Sequence, residues 1–109
     1  MSELTSADRA RLRSAAHGLE PVVLVGRDGL TPTVVRAVHE ALTARELIKI
    51  RLAGDREQRA RLAAEVAERG EASLVGTIGR IAILYREHAD PAKRRYAVPS
   101  PPRGEADGR

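Results

Sequence analysis

The sequence has no cysteine, no phenylalanine and no tryptophan, and only two tyrosines among its 109 residues. Without cysteine, the chain can form neither a disulfide framework nor a cysteine-ligated zinc site. With so few aromatic rings, the core must be aliphatic. Surfaces that stack unpaired bases on exposed aromatic rings are disfavoured for the same reason.

Long apolar runs are also absent, since none approaches the length of about 20 residues that a helix needs to cross a bilayer. The opening residues do not have the form of a signal peptide, so we expect a cytoplasmic protein. The three histidines are scattered, metal-ligand spacing is absent, and no serine lies in a nucleophile elbow. We therefore expect no enzyme, no cofactor, no metal site and no small-molecule substrate.

What the chain does have is positive charge and enough apolar residues for one domain. Lysine and arginine number 19 against 15 aspartates and glutamates, a net charge of +4, and 42% of the residues are hydrophobic. The length is that of a single domain. The charge balance favours a polyanionic partner without identifying it.

Periodicity and capping signals predict three helices. The first covers about 6–17, after a capping box of Thr5 and Asp8. The second covers about 32–44, with Thr31 as N-cap and a proline at its first position. The third follows a capping box of Asp55 and Gln58 and ends with Gly70 at the C′ position.

Four segments have strand character, at 21–25, 47–52, 72–78 and 80–86. The first is a continuous apolar run, which indicates a strand buried on both faces. The second alternates, with Lys49 and Arg51 on the polar face. The last two are joined so closely that they must form an antiparallel hairpin, and alternation places Tyr85 with the isoleucines at a packed sheet face.

The resulting order, α-β-α-β-α-β-β, predicts an α/β fold: a two-layer sandwich with a mixed four-stranded sheet. From residue 88 onward the periodicity stops and proline and charged residues dominate. We therefore divide the chain into a domain at 1–87 and a basic, proline-rich, mostly disordered tail at 88–109.

Two Gly-x-x-G motifs occur, at 26–29 and 76–79. With nine glycines, composition alone produces such a motif about 0.7 times per chain, so the pattern is weak by itself. The first copy lies between a strand and a capped helix, where glycines let a phosphate approach the helix N-terminus. A plain strand-to-helix turn is the alternative. The second copy is better explained as a hairpin or bulge.

Basic residues form several patches that suit a phosphate backbone. Arg9, Arg13 and His17 share one stripe of the first helix. With the loop residues and Thr31, the candidate RNA-binding residues are Gly26, Arg27, Asp28, Gly29, Thr31, Arg9, Arg13, Lys49, Arg51, Arg80, Arg86, Lys93, Arg94 and Arg95. A solvated surface is the alternative for each. The remaining arginines, Arg56, Arg59 and Arg61, are expected to pair with Glu57, Glu65 and Glu68 along the third helix.

Three segments together resemble the CRM domain family, and more closely its stand-alone bacterial YhbY-type members. They are PVVLVGRDGLT at 21–31, ELIKI at 46–50 and IGRIAILYR at 78–86. The resemblance covers about residues 4–87. It implies a fold similar to the C-terminal domain of translation initiation factor three. It also implies RNA binding and association with precursors of the large ribosomal subunit.

The resemblance also implies that the loop at 26–29 contacts RNA. Asp28 departs from the family pattern, because a carboxylate repels phosphate. We therefore expect a monomeric, non-enzymatic protein that docks on structured ribosomal RNA and pre-ribosomal particles, not on a membrane. The alternative is an adaptor that binds a ribosomal protein or assembly factor through its isoleucine and valine faces.

Overall fold

The structure is a computed structural model that describes residues 4–96. Its elements follow the predicted order. They are α1 (Ser6–Ala16), β1 (Pro21–Val25), α2 (Pro32–Arg45), β2 (Leu47–Leu52), α3 (Arg56–Arg69), β3 (Ser73–Ile78), β4 (Ile81–Tyr85) and a 3₁₀ turn (Pro91–Lys93). None of the helices within residues 4–96 is both long enough and apolar enough to span a membrane.

The helix starts form as the capping signals predict. The Thr5 hydroxyl accepts a hydrogen bond from the Asp8 amide at 3.0 Å, and the Asp8 carboxylate accepts one from the Thr5 amide at 3.1 Å. Asp55 and Gln58 make the same reciprocal pair, at 2.9 and 2.8 Å. The Thr31 hydroxyl caps α2 at 3.2 Å from the Val34 amide. These bonds satisfy amides that the helices leave unpaired.

The end of α3 differs from its predicted form. Gly70 is the C-cap residue, with a φ of −85°, and the left-handed conformation falls on Glu71, with a φ of 54°. A side chain at Gly70 would lie 3.1 Å from the Val66 carbonyl oxygen and 3.2 Å from Val38 Cγ1. Close packing between α2 and α3, not backbone freedom, is therefore what requires glycine at this position.

The sheet is mixed and four-stranded, with the order β1-β2-β4-β3. β1 and β2 are parallel and connected through α2, whereas β4 is antiparallel to both β2 and β3. The predicted hairpin and sheet type are thus confirmed.

Helices cover both faces of the sheet, so the fold has three layers and the predicted two-layer arrangement is wrong on this point. On one face, Ile48, Ile50, Leu52, Ala82 and Leu84 pack with residues of α2 and α3. On the other face, the alternate strand residues pack with α1. This second cluster consists of Leu4, Leu12, Ala16, Leu47, Val75, Ile83 and Tyr85. β4 therefore has apolar residues on both of its faces, one packed against α2 and α3 and the other against α1.

β1 is an edge strand, so the prediction that it is buried on both faces is wrong. Val25 is buried and Val23 packs against the core, but Leu24 is 63% exposed and Val22 is 41% exposed. These two exposed side chains alternate with the buried ones and therefore lie on the α1 face.

Residues 88–96 differ from the expected disordered tail, because they are hydrogen-bonded to the domain. Buried Glu46 accepts hydrogen bonds from the amides of His88, at 2.7 Å, and Arg95, at 2.5 Å. Tyr96 packs edge-on against Tyr85 with 6.3 Å between ring centroids. The rest of the predicted tail, 97–109, lies outside the described residues.

Candidate nucleic-acid interface

One end of the sheet brings together three loops that are distant in sequence. Since β1 and β2 are parallel, the turns that follow them, 26–29 and 53–54, lie side by side. The hairpin turn at 79–80 joins them, because Arg51 near the end of β2 pairs with Ile81 at the start of β4. We call these three turns the loop end of the sheet.

The 26–29 loop is a tight turn whose glycines have different roles. The Gly29 amide donates to the Gly26 carbonyl at 3.0 Å, and Gly29 has a φ of 74°, which favours glycine. Gly26 has no such backbone requirement, and a Cβ added there would meet no heavy atom within 4 Å. The backbone conformation therefore accounts for glycine at position 29, whereas nothing in the local structure requires glycine at position 26. Arg27 and Asp28 are exposed at the tip.

The loop forms one wall of an open cleft of about 650 Å³, whose other wall is the N-terminal half of α3. Arg27, Arg61 and Arg80 line it, and Asp55 and Glu65 bring negative charge to it. Asp55 is occupied as the cap of α3. The cleft thus combines three guanidinium groups with the amide-rich start of a helix, an arrangement that binds anions.

Arg59 holds the loop end together. Its guanidinium donates to the carbonyl oxygens of Gly54, at 2.7 Å, and Gly79, at 3.2 Å. Arg80 reaches the same Gly54 carbonyl at 3.4 Å. The expected ion pairs along α3 do not form, since within residues 4–96 no carboxylate pairs with an arginine of that helix. Backbone carbonyls at the adjacent turns are the closer acceptors for Arg59.

A second basic group lies on the α1 face. Arg9 Nη1 donates to the Leu74 carbonyl at 3.0 Å, and the aliphatic part of Arg13 crosses Gly76. Lys49 Nζ lies 3.4 Å from the His17 carbonyl oxygen, while Arg51 is exposed on the same face. The helix stripe and the strand pair predicted from the sequence therefore meet along one border of α1.

Arg86 lies elsewhere, at the opposite end of the sheet, and its guanidinium is used internally. It donates to the carbonyl oxygens of Gly70, at 2.6 Å, and His39, at 3.2 Å, and to the Thr43 hydroxyl at 2.9 Å. Its Nη1 also lies 3.0 Å from His39 Nδ1. These contacts fix α2 and α3 to the end of β4, so Arg86 is left out of the interface we propose.

Lys93, Arg94 and Arg95 are exposed at that same opposite end. Arg94 Nε donates to the His88 carbonyl at 2.8 Å, and its Nη2 lies 3.6 Å from Glu87 Oε1. The structure thus separates these three residues from the loop end by the length of the sheet.

The second Gly-x-x-G motif shapes the hairpin, as its context predicted. The pairing of β3 with β4 shifts between Leu74 and Gly76, and Gly79 has a φ of 59° in the turn. The side chain of Arg13 lies beside Gly76.

Sequence reasoning missed Arg61 and the turn at Ala53 and Gly54, which complete the cleft. One available signal was the capping box at Asp55, directly after a strand parallel to β1. The carboxyl ends of parallel neighbours meet at one sheet edge, so the start of α3 had to lie beside the 26–29 loop. Among residues 4–96, no three histidine or acidic side chains are grouped as a metal site would require.

Comparison with known proteins agrees with this architecture. The solution structure of hypothetical protein SAV1595 from Staphylococcus aureus, for which RNA binding is the suggested activity, matches with a TM-score of 0.75 and 27% identity. The match covers 87% of this chain and all of that one.

Three curated relatives align with this chain over most of its length and over most of their own length. The Pseudomonas aeruginosa "Probable RNA-binding protein PA4753" is 36% identical over 83% of this chain and 88% of its own length. The Haemophilus influenzae "RNA-binding protein" is 39% identical over 79% and 88%. The Bacillus subtilis "Probable RNA-binding protein YqeI" is 40% identical over 77% and 88%.

The model of the CRS1 / YhbY (CRM) domain matches residues 4–86, which include all four strands, all three helices and the loop end. The resemblance noted from three sequence segments is thereby confirmed, and the chain belongs to the CRS1/YhbY (CRM) domain family.

Proposed function

We propose that this protein binds structured RNA through its loop end and the basic border of α1, and that it acts in assembly of the large ribosomal subunit. Its role is non-catalytic and cytoplasmic, and its target is ribosomal RNA in pre-ribosomal particles. RNA binding is supported by the names of the relatives and by the family. The ribosomal role is supported by the resemblance to YhbY-type proteins.

The observation that carries the proposal is the structure of the 26–29 loop beside the arginine-lined cleft. The loop presents a glycine that the fold does not require, at the N-terminus of a capped helix, beside Arg27, Arg61 and Arg80. Helix N-termini and guanidinium groups both favour phosphate oxygens. A phosphate backbone could therefore pass close to Gly26, where a methyl group would push it away.

The experiment compares Gly26→Ala with Gly18→Ala. Both glycines have space for a methyl group and neither has a positive φ, so neither change should alter thermal unfolding appreciably. We expect Gly26→Ala to weaken binding to a structured RNA by about 10-fold, the equivalent of one charged hydrogen bond. Gly18→Ala should bind like the wild type. Wild-type affinity in a folded Gly26→Ala variant would remove the loop from the mechanism.

The identity of the RNA is tested separately, by crosslinking the protein in cell extract and sequencing the attached RNA. We expect large-subunit ribosomal RNA to dominate the crosslinked reads. Enrichment of other RNA classes, with ribosomal RNA at background, would contradict the ribosomal role and leave the RNA-binding mechanism in place.

A further inference from the structure

The α1 face of the sheet is only partly covered by its helix. α1 packs over Ile83 and Tyr85 of β4, both buried. Towards the loop end, four residues in register cross all the strands beyond the helix: Leu24, Arg51, Ile81 and Ile78. We call these four residues the open row.

The open row combines three aliphatic side chains with one cation, and all but the half-buried Ile81 are exposed. Leu24 is 63% exposed and Ile78 is 62% exposed, at its two ends, and Arg51 is exposed between them. The four strands contain no acidic residue. The apolar run of β1 is typical of a strand buried on both faces, yet one of its faces has no cover within residues 4–96. Packing within the domain therefore does not explain why positions 24 and 78 carry large aliphatic side chains.

The open row is continuous with the two basic groups described above. Arg51 and Ile81 lie at the strand ends that lead into the loop end, and Arg80 directly precedes Ile81. On its other side the row borders Lys49 and the Arg13 side chain above Gly76. A strand of RNA that leaves the loop end would therefore meet this face next.

We propose that the open row binds unpaired nucleotides adjacent to the RNA duplex held at the loop end. Bases lie against Leu24, Ile78 and Ile81, while the Arg51 guanidinium stacks on a base or bonds a phosphate. Three interstrand gaps of about 4.8 Å give the row a length of about 14 Å. That length accommodates about four bases at the 3.4 Å spacing of stacked nucleic acid. This proposal rests on the proposed function and specifies its substrate as a duplex with a single-stranded flank.

Unpaired RNA fits this row better than a protein segment does. A cation interrupts the aliphatic side chains in the middle of the row, so they do not form the continuous apolar core of a protein interface. Bases offer flat apolar faces and each nucleotide carries a phosphate, which suits three aliphatic side chains beside one guanidinium group. Aliphatic side chains and a guanidinium thus replace the aromatic rings that this chain lacks.

The test uses a blunt RNA hairpin and the same hairpin with four unpaired nucleotides at its 5′ or 3′ end. The variant is Leu24→Ser with Ile78→Ser, both at exposed positions. The matched control is Ala44→Ser with Ala64→Ser, two exposed positions on α2 and α3. Thermal unfolding verifies that each protein is folded. Ile78→Ser alone is a second test variant if the double serine variant is unstable.

We expect the wild type to bind one of the extended hairpins about 5- to 10-fold more tightly than the blunt one, somewhat less than aromatic stacking provides. The Leu24→Ser, Ile78→Ser variant should lose this preference and bind the blunt hairpin within about 2-fold of the wild type, because phosphate contacts at the loop end persist. The control should keep the preference.

The other outcomes distinguish failure of the proposed function from failure of the open-row proposal alone. If no hairpin binds even in dilute buffer, the proposed function fails and this proposal fails with it. If hairpins bind but the wild type has no preference, or the double variant keeps it, only the open-row proposal is overturned. The exposed row would then be assigned to a protein partner.

Discussion

Arg27 and Arg61 at the loop end and Arg86 at the opposite end of the sheet use their guanidinium groups in opposite ways. The side chains of Arg27 and Arg61 are exposed and make no hydrogen bond or ion pair with any residue in 4–96. At the opposite end, the Arg86 guanidinium is surrounded by two carbonyl oxygens, a hydroxyl and an imidazole nitrogen. All three residues are arginines, but only Arg86 has several hydrogen-bond acceptors of the protein within reach of its guanidinium group.

Acidic residues show the same contrast. Asp28 stands exposed at the tip of the 26–29 loop, and no residue in 4–96 pairs with it. Glu46 is 1% exposed and is hydrogen-bonded to the amides of His88 and Arg95. Glu46 and Arg86 are thus used in internal hydrogen bonds at one end of the sheet, whereas Arg27, Asp28 and Arg61 at the other end stay available to a ligand. We refer to the end at Glu46 and Arg86 as the closed end.

The largest expected effect is that of Arg86→Ala. Loss of the guanidinium leaves the carbonyl oxygens of Gly70 and His39 without this donor, and should lower the free energy of unfolding by about 2–4 kcal/mol. Urea denaturation measures the loss. Arg27→Ala, the matched change at the loop end, should alter stability by less than about 0.5 kcal/mol. Equal destabilisation by both changes would contradict the view that Arg86 stabilises the fold and Arg27 does not.

Glu46→Gln tests the other half of the closed end. A carboxamide of the same size keeps one acceptor oxygen but turns an NH₂ group towards a backbone donor, which should cost about 1–3 kcal/mol. Amide hydrogen exchange at His88 and Arg95 should accelerate more than exchange in the central strands. Unchanged protection of these two amides would show that Glu46 does not hold residues 88–96.

At the loop end, the combined change Arg27→Ala and Arg80→Ala should affect RNA binding and not folding. Loss of two phosphate contacts should weaken binding to structured RNA by about 10-fold or more at moderate salt. The matched control is Arg36→Ala with Arg45→Ala, two exposed positions on α2. Filter binding or fluorescence anisotropy provides the affinities. A loss of the same size in the control would mean that net charge alone governs binding.

The smallest effect should come from Asp28→Asn, and it should be a gain. Removing the carboxylate from the loop tip removes its repulsion of a phosphate, so we expect affinity to rise about 2- to 4-fold, a typical size for one screened surface charge. The gain should shrink as salt increases. Weaker binding by this variant would indicate that Asp28 has a positive role, such as holding the loop.

Local signals predicted the elements of this fold well because those signals are themselves local. Thr5, Thr31 and Asp55 cap their helices through residues three positions away, and the alternation of β2 reports its two faces directly. The order of the strands in the sheet cannot be predicted from such local signals. Whether the apolar run of β1 lies at the centre or the edge depends on pairings made by residues far along the chain, and the run itself is compatible with both.

The candidate site was predicted in part for the same reason. The 26–29 loop could be located from its flanking strand and capped helix. The use of Arg86 depends on carbonyl oxygens at residues 39 and 70, which no pattern around position 86 indicates. Likewise, Glu46 was noted only as part of a motif, although its carboxylate holds a segment more than 40 residues away.

The central claim is that the loop end and the border of α1 bind a phosphate backbone electrostatically. The most direct measurement is the affinity of the wild-type protein for a structured fragment of large-subunit ribosomal RNA over a range of salt concentrations. With about 3–5 phosphates engaged, the logarithm of the binding constant should fall against the logarithm of salt concentration with a slope of about −2 to −4. A slope indistinguishable from zero, or no binding in dilute buffer, would contradict the claim.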